Sequence, residues 1–488
     1  MSRFNSSVAV AAATPDTTNV AGGRAFSMSP KLEFASRILT SMCSDTYYKT
    51  AAQGIADVAA LTRAIDDPLF AAKAAVYTRK VGNLRSVSHI VAGELAKRVR
   101  GERWTRSFYD AVVRRPDDVT EILSYYQSVH GSKFPNALKD GLGRALGRFD
   151  AYQLAKYRGG GKTISLIDAV NICHPKSNEH LTALMKGTLA PAETWETRLS
   201  AAGKKETLQA KDAAKAEAWA DLLRDGKLGY LACLRNLANI FKQAPEQLKL
   251  ALALLADPVQ AKRGGAFPFQ VDTAAMQLIR EMNGQTPRWI GEKLMAALEA
   301  SLQNVPEFPG KTLIVVDESG SMTSEIAGGR TAHTIATLFA AALFKTQQDA
   351  EIMLFAERAR YVRPNPLDSF GTIVKAFAQP GGGGTNFHSI FEEAHKAYDR
   401  IIILSDMQGW VERTYGSTVP KSFKAYCQKT KCKPYLYSFN LCAQDGTLQL
   451  PERKVFCLAG WSDAVFTTMG NLEKDPQALI HEIEAVTF

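Results

Sequence analysis

The stretch Lys311–Glu325, KTLIVVDESGSMTSE, changes character at its middle. Its first half is apolar and β-branched and reads as a buried strand. Then Asp317, Ser319 and Ser321 occupy every second position, with a glycine between the serines. Beyond NVPEFPGK (304–311), four more apolar runs of strand length follow: AEIMLFA (350–356), RIIILSD (400–406), PYLYSFN (434–440) and KVFCLAG (454–460). Helical stretches lie between them, at 331–347 and 387–400. Unbroken apolar strands alternating with helices predict an α/β doubly wound domain, a parallel sheet covered on both faces. Ligand chemistry in such a sheet sits at the carboxyl ends of the strands, where Asp317 begins its run.

Two further segments converge on that edge. GGGGTN places Thr385 on a glycine-rich loop, and IIILSDMQG places Asp406 directly after a strand. Asp317, Ser319, Ser321, Thr385 and Asp406 together offer oxygen ligands only, which suits a hard divalent cation, magnesium first. The competing structural reading has the serines capping a helix and the aspartates ending strands for solubility.

Residues 31 to about 300 have a different grammar. ELAKRV, LKDGLGRALGRF, AEAWADLLRD and EKLMAALEASLQ carry apolar residues three and four apart, the spacing of amphipathic helices. In LGYLACLRNLANIFKQ, Tyr230, Leu234, Leu237 and Phe241 form one stripe, with Arg235 and Lys242 off it. Pro or Gly breaks recur at 66–68, 114–118, 157–163 and 173–177, so short helices in series predict stacked pairs of the solenoid type. The GGGKT at 159–163 resembles the end of a phosphate-binding loop, but Lys156 stands where that motif needs glycine and no strand precedes it. The expected organisation is a tail over 1–30, an all-α helical-repeat domain over 31–303 and the α/β domain over 304–488.

The 488 residues are 46% hydrophobic and carry a net charge of +10. Residues 1–300 hold 41 Lys and Arg against 29 Asp and Glu, and residues 301–488 hold 18 against 20, so the helical part is +12 and the remainder −2. A segregated basic half points to an anionic partner, nucleic acid first. No apolar run is long enough to span a membrane. Seven scattered cysteines argue for a reducing compartment, and a cytoplasmic location is expected. Cys427 and Cys432 lack a second pair at zinc-like spacing and read as two separate thiols.

DxSxS, a distant Thr and a strand-ending Asp resemble the metal-ion-dependent adhesion site of von Willebrand factor A domains, and all five positions match. The helical half resembles the TROVE module of the Ro autoantigen family. The blocks that carry this likeness are YTRKVGNLRSVSHIVAGELAK (77–97), VVRRPDDVTEILSYY (112–126), PNALKDGLGRALGRFDAYQLAKYR (135–158), LIDAVNICHPK (166–176) and LRNLANI (234–240). The domain order is also that family's. The resemblance implies a ring of HEAT-like helical repeats closed by the A domain, around a positively charged hole. It further implies that small noncoding Y-like RNA binds the outer basic surface. Single-stranded or misfolded RNA ends would enter the hole, and an exoribonuclease partner would share RNA quality control or processing.

Carried over to this chain, the RNA-contacting segment yields Lys156, Arg158, Lys162, His174 and Lys176. Arg144 and Arg148, four apart on one helix face, are added from charge alone. Arg85 and His89 read first as structural. No paired metal cluster or nucleophile elbow is present in the sequence, so a binding protein rather than an enzyme is expected, monomeric and without a membrane partner. The alternative is a metal-dependent protein-binding adaptor of the A-domain type, without RNA function.

Overall fold

The computed structural model describes residues 17–18, 24–25, 29–40, 51–81, 84–158, 163–192, 194–323, 325–327, 330–377, 382–407, 419–442, 455–459, 466, 469–470, 473 and 478–488. The described residues from Pro30–Thr40 to Arg288–Ser301 are helical, each helix packing mainly on the next or next but one. Breaks fall where Pro and Gly lie. Pro68 opens Pro68–Lys80 with Asp67 capping the Phe70 amide at 2.9 Å, and Pro116 opens Pro116–His130. The Tyr230–Gln243 helix buries Tyr230, Leu234 and Leu237 and half-buries Phe241, while Lys242 is exposed, as its stripe predicts.

A buried ionic hub ties the first helices together. Asp118 is fully buried and accepts from Arg79 Nη2 (2.8 Å), Arg85 Nε (2.9 Å) and the amides of Arg114 (2.9 Å) and Arg115 (3.0 Å). His89 Nε2 lies 3.1 Å from the same carboxylate. Arg85 and His89 are therefore structural.

Six strands form the sheet of the second domain: β1 (Thr312–Asp317), β2 (Ala350–Phe355), β3 (Ala359–Val362), β4 (Arg400–Ser405), β5 (Tyr435–Asn440) and β6 (Val455–Ala459). Their order is β6-β5-β4-β1-β2-β3, parallel except for β3. Alternation along each strand splits the core. Leu313, Val315, Ile401 and Ile403 pack with Phe391, Phe423 and Tyr426 on one face. Ile314, Val316, Ile402 and Leu404 face the Ala332–Thr346 helix in a core continuous with the helical array.

Two departures from the sequence reading have local causes. The helix expected over 387–400 stops at His388–Glu393, because Tyr398 is pulled into tertiary contacts: its hydroxyl donates to Glu351 Oε2 at 2.5 Å and its amide to Tyr426 Oη at 3.3 Å. The antiparallel edge β3, ARYV, is four residues long and interrupted by Arg360, so it lacks an apolar run to mark it.

Both ends of the helical series dock on the α/β domain. Lys31 Nζ lies 2.7 Å from Glu484 Oε1, Tyr77 donates to Glu482 Oε2 at 2.7 Å, and the Phe488 ring packs against Trp104 and Phe108. At the other end Phe269 stacks on Phe339 at 5.6 Å, Arg330 pairs with Asp272, and Phe370 N donates to Glu299 Oε1 at 2.6 Å. The chain thus closes on itself.

Burial would raise the Asp118 carboxyl, but the His89 hydrogen bond and charge, the Arg79 charge and the Arg114 amide hold it well below the usual carboxylate range. Asp118→Ala is expected to cost about 3–5 kcal/mol in urea unfolding, since it strands the buried Arg79 guanidinium and leaves Arg85 only its pair with Asp117. The depressed folded pKa makes this stabilisation complete above about pH 4 and lost as pH falls further. Wild type should therefore lose stability on acidification more steeply than the variant.

Candidate metal centre and nucleic-acid interface

Asp317 ends β1, fully buried. Its Oδ1 accepts from the Ser319 amide at 2.8 Å and its Oδ2 from the Ser405 hydroxyl at 2.5 Å. Ser405 ends the adjacent parallel strand β4, and its Oγ accepts the Met407 amide at 2.9 Å, which sets Asp406 beside Asp317. The Ser319 and Ser321 hydroxyls lie 3.3 Å apart. Two backbone bonds pin the glycine loop to this edge, Gly382 N to Glu318 O (3.0 Å) and Gly320 N to Gly383 O (3.2 Å). That course needs φ of 72° and 88° at Gly382 and Gly383, which glycine adopts without steric cost. Thr385, buried, follows at once, and Asn386 N fixes it by donating to Ala356 O at 2.8 Å.

The charges do not balance here. Burial first, then the neighbouring Asp406 charge, push the Asp317 carboxyl up to about 7, against the hydrogen bonds from Ser405 and Ser319. Two carboxylates buried side by side call for a proton or a cation. With the hydroxyls of Ser319, Ser321 and Thr385 they make an all-oxygen set that fits a hard divalent ion. Among the described residues no group of three or more His, Cys, Asp or Glu could hold a metal, so no zinc-type cluster competes. Sequence reading missed Ser405, whose only signal is a hydroxyl directly before a strand-ending Asp. It also missed Glu318, buried and bonded through Oε2 to Arg360 Nη2 at 2.9 Å.

The cationic candidates gather around the turn 173–178. Arg144, Arg148, His174 and Lys176 line a cavity of about 570 Å³ between that turn and the Asn136–Gly147 helix. Gly143 permits the approach, since a Cβ there would lie 3.0 Å from Cys173 O. His174 ends the Leu166–Cys173 helix in the left-handed region (φ 46°) and is exposed, as are Arg144 and Lys176. Arg148 differs from Arg144, with which the sequence ranks it equally. Its Nη2 bonds Asp110 O (2.9 Å), Val113 O (3.1 Å) and Asp110 Oδ1 (2.9 Å), so its charge serves the helix packing. Lys156 and Arg158 are exposed at the end of Ala151–Lys156, a helix that packs on Glu179–Met185. Lys156 Nζ sits 5.7 Å from the Tyr157 ring centre, whose face Arg115 also covers at 4.3 Å. Lys162 lies outside the described residues.

A helical array closed on an A-type domain, with an oxygen-lined candidate metal site and a cationic turn, defines a class of two-domain proteins. Two family models, TROVE over residues 31–198 and the Ro60 vWA domain over 311–472, place the chain in the Ro family. It is 25% identical over 334 residues to the RNA-binding protein RO60 of Deinococcus radiodurans, an alignment covering 59% of this chain and 62% of that protein. It is 33% identical over 97 residues to telomerase protein component 1 of Rattus norvegicus, covering 19% of this chain and 4% of that one. The chain thus spans about three fifths of the first relative's length and a small fraction of the second's. The crystal structure of the Deinococcus radiodurans RO (RSR) protein matches at a TM-score of 0.62 and 19% identity, covering 92% of this chain and 99% of that chain, which shows a shared fold. Among the described residues no helix is long and apolar enough to cross a membrane.

Magnesium is expected to raise the thermal midpoint of the wild-type chain, with about 2.7 kcal/mol of stabilisation at a hundredfold excess over Kd. Asp317→Asn keeps an acceptor for the Ser319 amide, turns an amide N–H toward the Ser405 hydroxyl and removes the charge facing Asp406. It should abolish the magnesium shift while leaving metal-free stability equal or higher. A wild-type midpoint indifferent to magnesium, manganese and calcium would remove the metal assignment.

Proposed function

We propose that the chain is the protein component of a Ro-type ribonucleoprotein. It holds a small noncoding Y-like RNA on its basic helical surface and takes single-stranded or misfolded RNA ends in the hole of the closed array. The observation that carries this reading is the convergence of Arg144 and Lys176, with the His174 ring, on one groove. The two cations come from separate segments, the Asn136–Gly147 helix and the turn at 173–178, of the half of the chain that holds the excess of positive charge. Cations meeting at an exposed groove attract phosphate, and lysine and arginine contacts to phosphate supply most of non-specific RNA affinity. RO60 of Deinococcus radiodurans is itself an RNA-binding protein.

The chain acts as a binding protein rather than a catalyst, in the cytoplasm and as a monomer. The RNA it carries passes to an exoribonuclease for processing or quality control. Asp317, Ser319, Ser321, Thr385 and Asp406 hold one magnesium ion, which supplies a Lewis-acidic point at the sheet edge for a partner's carboxylate. That second contact is separate from the RNA surface, so metal and RNA binding fail independently. Adaptor activity through the metal alone would leave the cationic groove without an occupant.

Titrating RNA binding against salt tests the reading. The double variant Arg144→Ala, Lys176→Ala is expected to weaken binding, and to reduce the slope of log K against log salt by about 0.7–0.9 for each phosphate that is no longer neutralised. Lys156→Ala with Arg158→Ala should act in the same direction, and Asp317→Asn should leave the slope unchanged. A wild-type chain that enriches no RNA from its host, or binds it without salt dependence, would favour the protein adaptor.

A further inference from the structure

We propose that the turn at 174–177 seats one unpaired nucleotide of the RNA, with phosphate on one side of His174 and the base on the other. This rests on the RNA-binding reading above and names the unit that the groove takes. Two cavities meet at the turn. The first, of about 570 Å³, has Arg144 and Lys176 on its wall, with Asp140 at the rim. The second, of about 340 Å³, is lined by Val170, Leu181 and Met185, with Asn171, Thr182 and Lys186 among its polar groups. His174, Pro175 and Ser177 belong to both walls, so the cationic and apolar chambers share a partition of only a few side chains.

The backbone of the partition is set by hydrogen bonding and packing. His174 stands at φ 46° and ψ 56°, a conformation that a β-carbon disfavours, held there by its amide bond to Val170 O at 2.9 Å. Gly143 packs under Cys173 and Pro175 from the opposite side. A non-glycine residue kept left-handed by its surroundings points to function at that position. On the apolar side Met185 is 39% exposed, although it belongs to the lining of a concave surface.

A nucleotide carries both chemistries within one repeat, an anionic phosphate and a flat base with an apolar face and polar edges. In a duplex the base faces are covered by stacking, so only the cationic chamber could be used. A single strand can turn a base out against an imidazole ring, the mode by which most RNA sequences are read. The short distance between the two recesses selects this occupant over an acidic peptide, in which the anionic group and a flat apolar face belong to different residues.

Fluorescence anisotropy of the full chain with a short labelled single-stranded RNA, and with the same RNA annealed to its complement, tests this. His174→Asn preserves tolerance for the left-handed backbone and removes the ring. It is expected to weaken single-strand binding roughly 5- to 150-fold, the reduction that one stacked base implies, with the salt slope unchanged. Met185→Glu should weaken the single strand and leave the duplex unchanged, whereas Lys176→Ala should weaken both and lower the slope. Single-strand affinity unaffected by His174→Asn or by Met185→Glu, or equal weakening for duplex and single strand, would overturn the nucleotide seat while RNA binding stands. A wild-type chain that binds neither RNA form, or prefers an acidic peptide, would overturn the RNA reading itself.

Discussion

The Ala332–Thr346 helix is buried on nearly every side, from Ala332 through Phe344, with Thr334 the exception in that span. A helix apolar all round must be enclosed. The β1, β2 and β4 strands cover one side of it and the Pro268–Glu281 helix another. Phe339 makes the junction, stacked on Phe269 and on Phe466 at 5.5 Å. Parting the helical array from the sheet would expose this surface, so the α/β domain is a fixed closure for the array rather than a tethered neighbour. The Ala478–Glu484 helix and Phe488 make the second closure against the first helices. The metal edge and the cationic turn therefore belong to one closed chain.

Two buried aspartates in this chain have opposite electrostatic fates. Asp118 meets two guanidinium groups, an imidazole and two amides, and its carboxyl is held low. Asp317 meets a hydroxyl, an amide and another buried carboxylate, and its carboxyl is pushed up. Burial costs both charges alike. Only the first cost is offset within the protein, which marks Asp118 as architecture and leaves Asp317 uncompensated beside Asp406.

Much of the oxygen-lined edge was legible because its residues carry a local signature: small oxygen-bearing side chains, at alternate positions or beside glycine, immediately after apolar strands. Ser405 carried only its place before a strand-ending Asp and Glu318 no mark, since their roles depend on which strands become neighbours. Asp118 was illegible for a related reason. In RRPDD it reads as an acid in the first turn of a helix, and it does accept the Arg115 amide there at 3.0 Å. Its burial among Arg79, Arg85 and His89 arises from the packing of three helices. The strands were found from unbroken apolar runs, and the edge strand β3 escaped because it has none.

The same distinction decides what the excess positive charge can do. Formal charge counts Arg79, Arg85 and Arg148 with the rest, yet the first two neutralise Asp118 and the third clamps Asp110 and Val113. Arg144 and Lys176 make no ion pair with a described residue and share one groove, so fewer cations reach solvent than the sequence total suggests. Those that do are concentrated. A field from clustered charges around a concave turn is stronger than the same charges spread over a helical surface. What this face can attract therefore depends on the placement of a few free cations beside an apolar recess more than on the +12 of the helical half.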